Sequence, residues 1–319
     1  MHLGPDHLYL PDQTLEKLGI TPTEIADAIE KALADKAAGR LQTTPKSVIL
    51  PGDGRYMMST LAVGSEGLTI LKTVGVFPGN AERGLPAITG SILVLDAETG
   101  VLKAVMGADW ITAVRTAGLS AVAARKLADP ASKTIAFIGC GVQASSHLAA
   151  FRDIFPLETV LAVGRGQANV DRFLAEARGL GLDSEQRSPE EAVRAADIVV
   201  SSITLDYSVE PFLDGGWMRP GTFAAITDLF IPWKDESAAA FGAIYVDDAE
   251  QERTSEKPMV APEFIQGDLT ELASDQGFIR NTDAPNAFVF RGLALGDYAA
   301  AALAMSRAEA LGLGQRISP

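Results

Sequence analysis

Gly139, Gly141 and Ala144 form a G-x-G-x-x-A turn directly between the apolar run Thr134–Ile138 and a helix-like stretch that starts at Val142. Strand, tight turn and helix in that order are the setting in which a protein backbone can hold a dinucleotide. Gly139 permits the turn, Gly141 lets the backbone approach a pyrophosphate, and Ala144 lets the helix pack closely on the strand. The phosphates then lie at a helix N-terminus, where free N–H groups and the helix dipole favour an anion. The chemistry this implies is hydride transfer with a nicotinamide cofactor, NAD(P)H.

The neighbouring elements support a βαβ unit. Thr159–Val163 reads as a second buried parallel strand, and Ala196 to Ser202 as another, after an acidic helix from Pro189 to Ala195. Continuous apolar runs alternating with helices are the mark of a parallel sheet covered on both faces. An acid that binds the adenosine 2′-hydroxyl is expected about 20 residues past the glycines. The chain has Gly164-Arg165-Gly166 there, with no acid. Arg165 can meet a 2′-phosphate or stack on adenine, which tilts the cofactor toward NADP without excluding NAD; a solvated loop arginine is the alternative.

Composition narrows the remaining choices. With 319 residues, 47% of them apolar, the chain has material for two domains. No apolar stretch approaches the length of a membrane span, and the start Met1-His2-Leu3-Gly4-Pro5-Asp6 lacks the basic-then-apolar order of a signal peptide. A soluble, cytoplasmic protein is expected. A net charge of −14 opposes binding to nucleic acid or anionic membrane. The one cysteine, Cys140, lies inside the glycine loop, which leaves no disulfide framework or cysteine-rich metal site and fits a reducing compartment. Three histidines, His2, His7 and His147, offer little for an acid–base pair or a zinc site, so a carboxylate or lysine is the better proton carrier and no metal is expected.

Along the chain, residues 11 to 40 carry helix-start signals and the helical spacing of Ile25, Ala28, Ile29, Ala32 and Leu33. From about 46 to 106, β-rich runs at Ser47–Leu50, Leu68–Val74 and Ser91–Leu95 alternate with turns, including a hairpin loop at Asp96–Gly100. A small-residue helix over 109 to 129 leads to a junction at Asp129-Pro130-Ala131-Ser132, and 296 to 311 is again an alanine-rich helix. The expected fold class is α/β, a Rossmann-type parallel-sheet domain plus a discontinuous α+β domain for substrate and dimerisation. The expected boundaries are 1–130 for the substrate domain, 131–293 for the nucleotide domain and 294–319 for a helix returning to the first.

Three segments together resemble the ornithine cyclodeaminase/μ-crystallin family. Leu71-Lys72-Thr73-Val74, with Phe77-Pro78-Gly79-Asn80 and Gly84-Leu85-Pro86-Ala87, is similar to its lysine-bearing strand and following turns. Ile111 through Ala117, with Arg115-Thr116-Ala117, resembles its T-A-x-R-T-A helix and leads to the glycine loop. Pro220-Gly221-Thr222 to Thr227-Asp228 resembles the strand that ends in the family's catalytic aspartate, and Gly292 to Asp297 its terminal helix entry.

The resemblance implies a carboxylate clamp from Lys72 and Arg115, with Lys46 where the family usually offers an arginine, and Asp228 exchanging a proton with the substrate nitrogen or a bound water. Catalytic roles thus fall to Asp228 and Lys72, and cofactor contacts to Thr116, Gly139, Gly141, Val142, Gln143, Ala144, Arg165 and Lys234. Lys234 stands in Ile231-Pro232-Trp233-Lys234, near the family's P-G-K turn, where it could support Asp228. The residues agree with this reading. Lys72 sits in a run that reads as buried, where an unpaired ammonium is costly; a solvent-facing strand lysine is the alternative. Arg115 offers a planar fork suited to a carboxylate, or to a structural salt bridge. Lys46 offers only a point charge, and Asp228 could alternatively cap a turn.

The implied activity is reduction of a small anionic 2-imino acid such as pyrroline-2-carboxylate with NAD(P)H, or the reverse amino-acid dehydrogenation, in a homodimer. Two other activities compete: a redox-neutral ornithine cyclodeaminase, and a μ-crystallin-like protein that binds NADPH and a small ligand. Arg55-Tyr56-Met57-Met58-Ser59-Thr60 contains no acid to bind a distal amine, which disfavours a diamino acid.

Overall fold

In the computed structural model, which describes residues 6–318, the chain divides into two units: Met1–Arg115 with Gly292–Pro319, and Thr116–Arg291. His2 and the expected absence of a leader at the chain start lie outside the described residues. The fold is two-domain α/β, with a parallel Rossmann-type sheet in one unit and a mixed sheet with helices in the other.

The mixed sheet is built from alternation. Strands Tyr56–Val63, Leu68–Val76, Ile88–Asp96 and Leu102–Gly107 run antiparallel in sequence order, and His7–Leu10 adds in parallel beside Leu102–Gly107. In this register Thr60, Lys72, Ile92, Met106 and Leu10 form one row across the sheet. Their neighbours Leu61, Leu71, Leu93, Val105 and Tyr9 form the next row, on the opposite face because side chains alternate. The first row is buried. Helices Pro22–Ala37 and Ala294–Leu311 pack on each other, and the latter also packs on strands Tyr56–Val63 and Leu68–Val76. Helix Pro22–Ala37 starts where the sequence predicts, with Pro22 in its first turn and a reciprocal capping pair between Thr21 and Glu24.

The parallel sheet follows the apolar runs. Its strand order is Asp183–Gln186, Thr159–Val163, Thr134–Ile138, Ile198–Ser201, Phe223–Ile226, Asn286–Val289, Ala243–Val246 and Ile265–Asp268, all neighbours being parallel. The chain order reverses between Thr134–Ile138 and Ile198–Ser201. Ligands of open α/β sheets bind outside the carboxyl ends of the strands at such a switch point, and both the glycine turn and Asp228 follow strands at that end. No helix among the described residues is long and apolar enough to cross a membrane.

Candidate active site

The glycine turn adopts the expected geometry. Gly139 has φ +100, and a Cβ there would stand 2.7 Å from the Ser202 carbonyl oxygen, so only glycine fits. Gly141 caps helix Val142–Arg152 with φ −89 and ψ −162. A Cβ on Gly141 would meet nothing within 4 Å, so open space lies over this helix N-terminus. Ala144 is fully buried, Val142 is 68% exposed at the helix start, and Gln143 follows it.

Two polar atoms flanking the turn, Ser202 Oγ and Gln143 Oε1, are buried without a hydrogen-bond partner among the described residues. Buried polar groups are nearly always satisfied. The residues present therefore fit a dinucleotide: a backbone cradle, an open helix end and two polar atoms awaiting partners.

His147, on the same helix, is a structural histidine. Its Nδ1 lies 2.8 Å from the Gln143 carbonyl and must donate there, leaving Nε2 to accept from the Ser120 hydroxyl at 2.9 Å. Burial pushes its pKa down to about 4, so the ring is neutral. Burial pushes the Cys140 thiol up to about 11, which leaves it unreactive. Arg165 is exposed at the tip of the second strand, and its charge acts on Asp206. Thr116 is buried on helix Asp109–Leu127.

Asp228 stands just past strand Phe223–Ile226 and is completely buried. Its Oδ1 accepts from the Ser201 hydroxyl at 2.9 Å and its Oδ2 from the Ile203 amide at 3.1 Å. Burial raises its pKa to about 7 even though those two donors favour the ionised form. The next two residues, Leu229 and Phe230, both take left-handed backbone conformations, with φ of 59 and 65. Bulky side chains rarely adopt that region, and such strain gathers at sites where a side chain must be aimed. Here Phe230 is held by stacking on Trp233 at 6.0 Å, and Trp233 donates its indole N–H to Ser201 Oγ at 3.0 Å. Lys234 does not join this group. Its ammonium pairs with Asp214 at 2.9 Å and lies over the Trp217 ring.

The other unit gathers the cations. Lys72 is 1% exposed, and its Nζ donates to Asp297 Oδ1 at 2.6 Å. Arg115, also buried, brings Nε to 3.0 Å from the same oxygen, while Thr60 donates its hydroxyl to Asp297 Oδ2 at 2.9 Å. Burial and the Arg115 charge push Lys72 down to about 8 against the pull of Asp297. Burial pushes Asp297 up, but the Lys72 and Arg115 charges outweigh it and hold the carboxyl below its usual range. Lys46 directly precedes strand Ser47–Ile49, whose Ser47 faces Ser59. Its Nζ lies beside Gly292, 2.8 Å from where a Cβ on that glycine would be.

The structure thus brings Lys72 and Arg115 together, as expected, and around a carboxylate to which sequence reasoning gave no role. Ser201 and Trp233 were also missed. A buried lysine demands a counter-charge, and that demand was the available signal for Asp297; nothing comparable distinguished Ser201 inside an apolar run.

Comparison with known proteins gives a consistent result. The model of the ornithine cyclodeaminase/mu-crystallin family matches residues 12–310. Alanine dehydrogenase of Archaeoglobus fulgidus is 29% identical over 323 residues, covering 97% of this chain and 98% of that protein. Thermococcus litoralis Δ1-pyrroline-2-carboxylate reductase, solved in complex with NADH and L-proline, superposes with a TM-score of 0.88 at 26% identity, covering 97% of this chain and all of that one. An archaeal alanine dehydrogenase dimer with bound NAD also gives a TM-score of 0.88, at 27% identity over 98% of this chain and 99% of that one.

Proposed function

The chain belongs to the ornithine cyclodeaminase/mu-crystallin family, and on that premise we propose that it reduces a small 2-imino acid with NAD(P)H, or runs the same step backwards as an amino-acid dehydrogenase. The observation that carries the reading is Asp228: a fully buried carboxyl at the carboxyl end of a strand, two strand positions from the glycine turn, with a pKa of about 7. A proton carrier works best when its pKa is near the operating pH. Asp228 gives a proton to the substrate nitrogen in the reductive direction and takes it back in the oxidative one.

When bound, the nicotinamide supplies or accepts the hydride at the substrate C2. Gly139, Gly141, Val142, Gln143 and Ala144 would hold its pyrophosphate, and Thr116 shares the cofactor role. Arg165, exposed past strand Thr159–Val163, would take the adenosine end, where a guanidinium suits a 2′-phosphate. Lys234, tied to Asp214, is the weakest member of the cofactor set. Lys72, Arg115 and Lys46 take the substrate carboxylate, whose charge suits a buried group in which two cations share one acid. Fixing the carboxylate orients C2 and nitrogen for reaction. The reading is supported by the alanine dehydrogenase and pyrroline-2-carboxylate reductase among the relatives. Asp53, the acid nearest in sequence to Met57, is bound by Arg55 at 2.7 Å, so the chain's own residues favour a substrate without a distal amine.

The test is NAD(P)H consumption with a panel of linear and cyclic imino acids that includes pyrroline-2-carboxylate. Turnover is expected with at least one member, and its absence across the panel with both cofactors would overturn the proposal. Ammonia released from ornithine with catalytic cofactor would instead establish the cyclodeaminase reaction.

Gly141→Ala tests the cofactor cradle separately from the fold. Its backbone angles suit alanine and nothing crowds the new methyl group, so the thermal midpoint is expected to stay within about 2 °C of wild type. The methyl group fills the space assigned to the pyrophosphate. NAD(P)H affinity, read by fluorescence titration, is expected to fall at least about tenfold, a loss of roughly 1.4 kcal/mol. Unchanged affinity would place the cofactor elsewhere.

A second copy of the chain is the proposed cover for the open face of the mixed sheet. Tyr9, Leu61 and Leu93 on that face are 39%, 37% and 36% exposed in a single chain, and a contiguous apolar row of this kind marks an interaction surface. Light scattering is expected to give twice the chain mass. Leu61→Arg with Leu93→Asp should give a folded monomer, and a monomeric wild type would refute the assignment.

A further inference from the structure

Three donors in the nucleotide unit point one way. The Trp233 indole N–H can only donate, and it donates to Ser201 Oγ. That bond occupies a lone pair of the serine oxygen and turns the hydroxyl proton toward Asp228 Oδ1. The Ile203 amide, two residues past Ser201, serves Oδ2. The indole cannot drift, because Trp233 is 1% exposed and wedged between Phe230 and Phe241, with ring centroids at 6.0 and 5.9 Å. Ser201 is fully buried on a strand whose register places it beside Ile226, two residues before Asp228. Nothing about packing alone requires a hydroxyl there: Ile198, Val199 and Val200, the rest of the strand, are apolar.

We propose that Ser201, oriented by Trp233, is a positioning residue whose hydroxyl fixes the rotamer of Asp228 and meets its Oδ1, so that the carboxyl is held in place to release and recover a proton. This deepens the proposed function and rests on its assignment of Asp228. The groups acting on the Asp228 carboxyl are the Ser201 hydroxyl, the Ile203 amide and its own amide; among the described residues no charged side chain contributes. Removing the hydroxyl therefore leaves burial opposed by backbone amides alone. Each donor in a chain also polarises the next, so losing the indole N–H weakens the serine–carboxyl bond in turn.

The experiment is an infrared pH titration of the full-length protein without cofactor or substrate, following the protonated-carboxyl band that Asp228→Asn removes. Ser201→Ala is expected to move the midpoint of that band upward by about one pH unit, the equivalent of one hydrogen bond to a charged group. Trp233→Phe keeps an aromatic ring in the stack and is expected to move it in the same direction by roughly half as much. Ser201→Thr restores the hydroxyl and is expected to return the midpoint to within about 0.3 of wild type. A midpoint unmoved in Ser201→Ala, or in Trp233→Phe should the serine variant fail to fold, would overturn the proposal whatever happens to thermal stability. The assignment of Asp228 to catalysis fails separately, if Asp228→Asn retains turnover.

Discussion

Asp228→Asn is expected to lower kcat about a hundred- to ten-thousand-fold, the range spanned by positioned acid–base groups, and at the same time to make the protein more resistant to alkaline unfolding. Both follow from the burial of one carboxyl. In the folded chain Asp228 titrates at about 7 against a reference of 3.8, so between those values the native state keeps a proton that the unfolded chain has released. Stability contributed by that proton is complete below the unfolded value and is lost as pH rises through the folded one. Above pH 7 the native protein holds a buried charge with no cationic partner among the described residues. Asparagine cannot ionise, so the free-energy difference between variant and wild type should swing toward the variant by roughly 4 kcal/mol between pH 4 and pH 8, three pH units at about 1.4 kcal/mol each. Denaturant unfolding at the two pH values measures the swing. Lost turnover with no swing would mean that the carboxyl is not the group held neutral; a swing with full turnover would mean that Asp228 is buried as described but carries no proton in catalysis.

His147 acts in the opposite sense over nearly the same pH range. Its ring is neutral when folded and its pKa lies near 4 rather than 6.5, so folding loses stability as pH falls from about 6.5 toward 4. The two contributions therefore offset each other in the wild-type protein, and the difference between Asp228→Asn and wild type isolates that of the aspartate, because the histidine that braces the glycine-loop helix is common to both.

What could be read from the sequence was what depends on near neighbours. The glycine turn is a local device, each residue of G-x-G-x-x-A having its reason within a few positions: Gly139 takes a positive φ, Gly141 leaves the helix end open and Ala144 is fully buried. The position of Asp228 was legible because an acid two residues past the apolar run Phe223–Ile226 must lie at a strand's carboxyl end. The partners of these residues were not legible, because they are supplied by distant chain. Asp297 lies 225 residues from Lys72, on a helix whose alanine-rich composition reads as packing material. The argument that a buried ammonium needs a counter-charge established that a partner exists without naming it. Ser201 was hidden for a different reason. In a buried parallel strand every position is enclosed, so the period-two alternation that would set a polar residue apart is missing. Trp233 entered only as a residue of the Ile231-Pro232-Trp233-Lys234 turn, and the direction of its N–H gives it a further role.

Lys72→Met and Asp297→Asn should have opposite consequences for folding and for binding, although they remove the two ends of the same 2.6 Å contact. The three side chains Lys72, Arg115 and Asp297 carry two positive charges and one negative. Methionine at 72 leaves one of each, Arg115 with Asp297, and replaces a desolvated ammonium by a side chain of similar length that belongs in an apolar setting; the fold is expected to tolerate it with little loss. Its cost falls on the substrate. An anion that loses one of its buried cations is bound more weakly by about 2–5 kcal/mol, so KM for the imino or amino acid should rise about 30-fold to several thousand-fold.

Asparagine at 297 does the reverse, leaving two cations buried side by side without the carboxylate they share. Breaking a buried ion group from that side is expected to destabilise by about 3–5 kcal/mol. The molecule has one escape: Lys72, already lowered to about 8 by burial and by Arg115, can give up its proton once the acid is gone. The deficit of Asp297→Asn should therefore be largest in acid and shrink as pH rises toward 8, because a lysine whose folded pKa is depressed gains stability as it deprotonates. Unfolding curves of both variants from pH 6 to 8, together with KM for Lys72→Met, decide the matter. Equal destabilisation of the two variants, independent of pH, would reduce the group to packing and remove the electrostatic basis for an anionic substrate.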